Sequence, residues 1–102
     1  MSSRLFDLRA QTRALPLDPP WEDKKAWRFR AVPVFNGQNQ VIFAVDDAHE
    51  ELDAQHITAH CGEGRRVAFQ KVDTAVLEAF LNQHHSAGKV EGQRLRDARQ
   101  TA

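Results

Sequence analysis

Cysteine is nearly absent. With Cys61 alone, no disulfide can close within the chain, and a reducing compartment, the cytoplasm, is the expectation. Long apolar runs are missing too: nothing approaches the roughly 18 residues that a membrane-spanning helix needs. The opening residues, Met1 to Arg9, hold no apolar core and carry Asp7, so they do not read as a signal peptide. There is no phosphate-binding glycine loop, no dinucleotide fingerprint, no nucleophile elbow and no internal repeat. Net charge is zero, which argues against general affinity for nucleic acid or membrane. What is left is one small domain in 102 residues, expected to be α+β, to belong to a bacterium or its phage or plasmid, and to lean away from enzymes.

The charge that exists is segregated. Residues 1–30 carry +3, residues 31–45 carry none, residues 46–63 carry −6 and residues 64–102 carry +3. The acidic middle can pair with its basic flanks within one molecule, and solvated faces with some ion pairs are the favoured reading.

The uncharged stretch from Ala31 to Val45 organises the rest. Two β-prone runs flank Asn36-Gly37, a strong hairpin signal. The first strand is expected from Ala26 to Phe35, with Trp27, Phe29, Ala31, Pro33 and Phe35 on one face. Arg28, Arg30, Val32 and Val34 share the other. The second strand is expected from Gln40 to Asp46. A two-residue turn would pair Phe35 with Gln38. A five-residue loop from Asn36 to Gln40 pairs Phe35 with Val41, Pro33 with Phe43 and Ala31 with Val45. The longer loop gathers the aromatic residues and is preferred. Pro33 lacks an amide donor, so the first strand should be an edge or be bulged there.

A helix from Ala48 to His60 follows, with Asp47 and Glu50 in a capping-box pattern and Leu52 and Ile57 turned inward. Residues 65–72 are open between two readings. One continuous helix from Arg66 to His85, with Phe69, Val72, Val76 and Phe80 as its stripe, is favoured over a third strand followed by a helix capped by Asp73. The termini are expected to be loosely held. Residues 1–20 form an arm, helical or extended over 3–14, with a linker set by Pro16, Pro19 and Pro20. Residues 89–102 form a polar tail, frayed or ordered only on a partner. The domain proper is then 21–88, an antiparallel hairpin packed against two helices.

Several side chains could carry chemistry. His56 and His60 are four apart on the expected helix, Cys61 adjoins them and His49 lies two turns before His56 on a similar face, which suits three or four zinc ligands. The second half of a structural zinc site is missing, so exposed histidines are the favoured reading and no cofactor is expected. A Cys61–His60 nucleophile pair lacks an oxyanion motif and is a minor alternative. Arg28 and Arg30 alternate with Trp27 and Phe29, and Arg65, Arg66, Arg94, Arg96 and Arg99 add positive charge, which suits a β-ribbon on nucleic acid. Val32, Val34 and Ile42 form an apolar strip that two helices are expected to leave partly open, and an open strand edge invites pairing.

The layout resembles a family of small bacterial proteins of unknown function. The matching positions are Trp21, then Phe29-Arg30-Ala31, then Leu52, then Ala68-Phe69 with Val72, Val76 and Phe80, across about residues 21–88. The resemblance implies a hairpin followed by a short and a longer helix, the longer one opening at Ala68-Phe69, and it brings no activity. A non-catalytic binding or regulatory module acting through protein contacts is the resulting expectation, as a homodimer or with a protein partner. A nucleic-acid-binding regulator using the arginine face is the alternative. No membrane partner is expected.

Overall fold

A computed structural model describes Leu8, residues 14–62 and residues 64–101, with side chains through residue 98. The expectations for residues 3–14 therefore fall, Leu8 and Ala14 apart, outside the described residues. The order of elements is α1 (Asp23–Phe29), β1 (Ala31–Asn36), β2 (Gln40–Val45), α2 (Glu51–Cys61), β3 (Arg66–Lys71), α3 (Thr74–His84), a single 3-10 turn at Ser86–Gly88, and α4 (Lys89–Thr101). The three strands form one mixed sheet in the order β1-β2-β3. β1 runs antiparallel to β2, and β3 runs parallel to it. The α+β class holds, with four α-helices among the described residues where two were expected. Among the described residues, no helix is long and apolar enough to cross a membrane.

The hairpin follows the longer-loop register for its first pairs, Ala31 with Val45 and Pro33 with Phe43. Beyond Pro33 the register slips, and Phe35 faces Ile42 instead of Val41. Val34 is the extra residue, beside the proline that cannot donate to a ladder, so β1 is both an edge and bulged. The turn closes with the Gly37 amide donating to the Gln40 carbonyl at 2.8 Å. A Cβ on Gly37 would lie 2.7 Å from the Phe35 ring, so glycine lets that ring lie over the turn.

Residues 26–29 are helical, which corrects the early start given to the first strand. The seven-residue α1 has Asp23 in its first turn and buries Ala26, Trp27 and Phe29. It ends at Arg30, whose left-handed backbone (φ 49°) turns the chain directly into β1. The alternation of Trp27 and Phe29 with the arginines suggested a strand. The helix instead sends the two rings to different neighbours. The Trp27 indole donates to the His85 carbonyl at 2.8 Å. The Phe29 ring stacks on His56 with centroids 5.2 Å apart.

Residues 66–71 form β3, so the continuous helix favoured from the Phe69–Phe80 stripe is corrected to a strand and a helix. Ala68 and Phe69 lie in the strand. Asp73 caps α3, its carboxylate accepting from the Ala75 amide at 3.2 Å. Parallel pairing with β2 satisfies both strands' facing amides; a helix starting at 66 would leave β2 unpaired on that side. α2 begins three residues later than expected. Its capping box joins Glu50 and Asp53, and Ile57 points inward while Leu52 is 44% exposed. Asp53 takes the inward place expected of Leu52.

The termini differ most. Residues 89–101 form a helix seated on α1, not a frayed tail. Gly88, Gly92 and Arg96 lie four apart and share one face. A Cβ on Gly92 would sit 2.5 Å from both the Lys24 carbonyl oxygen and the Trp27 Cβ, so the two backbones approach as closely as glycine permits. One apolar core joins Leu8, Leu17 and Trp21 to the sheet and to Ile57, Leu77, Phe80 and Leu81.

Candidate functional site

The arginines proposed for a nucleic-acid face do not lie on the hairpin. Arg28 is on α1, half-buried, with its guanidinium 5.0 Å from the Phe29 ring centroid. Arg30 is buried. Its Nη2 donates to Asp46 Oδ2 at 2.7 Å and to Glu78 Oε2 at 3.1 Å, and its Nε also reaches Asp46 Oδ2 at 3.0 Å. Burial alone would pull this guanidinium's pKa down. The hydrogen bonds and charge of Asp46, with Glu78 beside it, hold it above the ordinary arginine value. Val32 and Val34 are 0% and 6% exposed and Ile42 is half-buried. The apolar strip is therefore largely covered within the chain and not left open.

Arg96 is a second buried arginine. It donates to the Arg28 carbonyl at 2.6 Å and the Ala48 carbonyl at 2.7 Å, and it lies 3.4 Å from the fully buried Asp53 carboxylate. Arg30 and Arg96 line a cleft of about 430 Å³ with Trp27, Asp46, Thr74, Gln93 and Asp97. Arg30 pairs with Asp46 and Glu78, Arg96 pairs with Asp53, and the Asp97 carboxylate also lines the cleft. No positive charge is left over to attract an anion, so the cleft reads as the seam between α4 and the body of the fold.

The metal candidates are occupied elsewhere. His60 Nε2 donates to the Pro19 carbonyl at 2.8 Å, which fixes the tautomer and leaves Nδ1 to accept from Lys25 Nζ at 3.1 Å. The Trp21 ring stands edge-on to it. His56 is stacked on Phe29. Cys61 is half-buried; burial pushes its thiol above the usual value, and Arg65 only partly opposes this. Among the described residues, no three His, Cys, Asp or Glu side chains stand where they could hold a metal ion. His49 lies on the Phe69 ring, 4.8 Å between centroids. Burial pushes its pKa down, with Arg96 assisting and Asp53, Asp46 and the Phe29 carbonyl opposing.

The sheet's two edges are unequal. β1 carries Pro33 and a bulge, the usual devices that blunt an edge. β3 has neither: its six residues pair with β2 in unbroken register, from Gln40 with Arg66 to Val45 with Lys71. The Arg66 amide donates to the Asn39 carbonyl at 2.8 Å, and the Val72 amide to the Val45 carbonyl at 2.7 Å. Amides alternate sides along a strand, so those of Ala68 and Gln70 also point to β2. The N–H and C=O groups of Val67, Phe69 and Lys71 then point outward. Val67 to Gln70 are half-buried, and Arg66 and Lys71 are exposed at the two ends.

Sequence reasoning gives Arg96 only a general positive charge and Asp53 a solvated face, and it raises an open edge without placing it on β3. The four-residue spacing of Gly88, Gly92 and Arg96 was a usable signal for a packed helix, and the period of two in Val67 and Phe69 was one for β3. Comparison of the chain with protein-family models, curated proteins and solved structures finds no match.

Proposed function

We propose that the protein is a non-catalytic binding module that acts through protein contacts, with the outer edge of β3 as its docking surface. One observation carries the reading: β3 is a regular six-residue strand whose outward amides at Val67, Phe69 and Lys71 have no strand beside them among the described residues. An extended segment adding to such an edge gains main-chain hydrogen bonds and buries half-covered side chains. The lone, half-buried Cys61 suits the cytoplasm. Arg28 and Arg30, the arginines that suggested a nucleic-acid ribbon, are held in the fold, and the protein-contact reading is therefore preferred.

Site-specific photo-crosslinking in the native cytoplasm tests this. A photoreactive phenylalanine analogue at position 66 should give protein adducts, and the same group at position 90, on the exposed side of α4, should not. The Lys71→Pro substitution removes an outward donor without touching the β2 ladder, and it should abolish the adducts at 66. Adducts at both positions alike, or none at 66, would sink the reading.

A further inference from the structure

Resting on that reading of the β3 edge, we infer that its partner is an extended peptide segment with an acidic residue at each end of a four-residue, largely uncharged centre. The edge itself specifies this. Its middle, Val67-Ala68-Phe69-Gln70, carries no charge, and its ends carry Arg66 and Lys71, both exposed. Arg66 has no carboxylate within salt-bridge distance among the described residues. Lys71 has only Asp47, at 3.2 Å, in a pair 67% and 87% exposed; such a pair is worth little and is readily exchanged for another carboxylate. Arg65 takes no part. Its guanidinium turns the other way, to the Asn36 side chain and the Gly37 carbonyl.

Alternation places the Lys71 side chain on the Val67 and Phe69 side of the sheet and that of Arg66 on the other. Residues directly opposed across a strand pair share a face, so two acids five positions apart meet Arg66 and Lys71 in either strand direction. A second copy of this chain is a poor occupant. Antiparallel self-pairing of β3 sets the Arg65-Arg66 end of one copy beside Lys71 of the other, and like charges across strands are destabilising.

The test is an amide-resolved NMR titration of the full chain with three capped peptides: Glu-Val-Thr-Thr-Val-Glu and its Gln-ended and Lys-ended versions. The sequence reads alike in both directions, so it serves either strand orientation. The Glu-ended peptide should shift the Val67, Phe69 and Lys71 amides and slow their exchange. It should bind about 5-fold more tightly than the Gln-ended peptide at low salt, with the gap closing at about 1 M salt. The double variant Arg66→Gln, Lys71→Gln should bind both equally. Equal affinity of the unaltered protein for all three peptides overturns the acidic preference. So does failure of every peptide to move those amides; crosslinks at position 66 that persist in that case leave the edge reading standing, and their absence removes both. A concentration-dependent dimer in light scattering, lost in Lys71→Pro, also overturns the inference and assigns the edge to a second copy.

Discussion

The Arg96 guanidinium donates a 2.6 Å hydrogen bond to the carbonyl oxygen of Arg28, 68 positions earlier in the chain. That carbonyl belongs to the last turn of α1. The same guanidinium holds the Ala48 carbonyl and the Asp53 carboxylate, so one side chain ties α4 to α1, to the loop after β2 and to the start of α2.

Replacing Arg96 by Met should therefore cost about 3 kcal/mol or more in urea unfolding, because the buried Asp53 carboxylate loses the Arg96 guanidinium. Adding Asp53→Asn should recover part of that loss, since the amide oxygen can still accept from the Glu50 backbone, as Asp53 does at 2.9 Å. Additive losses in the double variant would count against a charge-based role for the pair.

Gly92→Ala should destabilise despite alanine's better helix propensity. The propensity gain is about 1 kcal/mol. The added methyl would meet backbone and Cβ atoms at 2.5 Å, and overpacking of that kind costs about 1–3 kcal/mol. Gly62, at φ 84° with open space around it, is the contrast. Alanine there should cost about 1–3 kcal/mol through backbone strain alone and leave the near-ultraviolet signal of Trp27 unchanged, whereas Gly92→Ala should alter it.

Stability should fall on mild acidification through His49. Its folded-state pKa lies below the ordinary 6.5, so the unfolded chain binds the proton more readily. The neutral ring's contribution is complete above that value and is lost as pH falls from about 6.5 to the depressed folded value; below it the slope from this group vanishes. In urea titrations across pH 5–7, His49→Gln should flatten this part of the profile. An unchanged slope would assign it to other groups.

The Cys61 thiol should react with a disulfide reagent more slowly in the folded protein than in urea, because burial raises its pKa and limits access. Removing Arg65, which opposes the shift, should slow it further. A native rate equal to the denatured one would contradict the burial argument.

The hairpin was legible because three local signals agreed: β-branched runs, a turn-forming centre, and a proline that had to sit on an edge. The α1 stretch was not. Trp27 and Phe29 two apart fit a strand, and only the tertiary partners, the His85 carbonyl and the His56 ring, show why a seven-residue helix wins there. Phe69 fitted both periods, and the choice lay with β2, whose outer side needed a strand. The tail stayed open between a frayed end and a helix ordered only on a partner, because a helix can dock through two glycines and an arginine, residues that carry no hydrophobic signal. Of the candidate site, the open edge was foreseen as a principle, but the strand that bears it was read as helix.

The glycine seam also sets an order of events during synthesis. α1 leaves the ribosome more than sixty residues before Arg96 does. Until then Trp27 lacks the wall that Gly92 provides, and the Arg28 carbonyl lacks its donor. At about 5–20 residues per second, a growing chain carries that unfinished surface for several seconds. A nascent chain halted before Gly92 is therefore the form of this protein most exposed to chaperones and proteases.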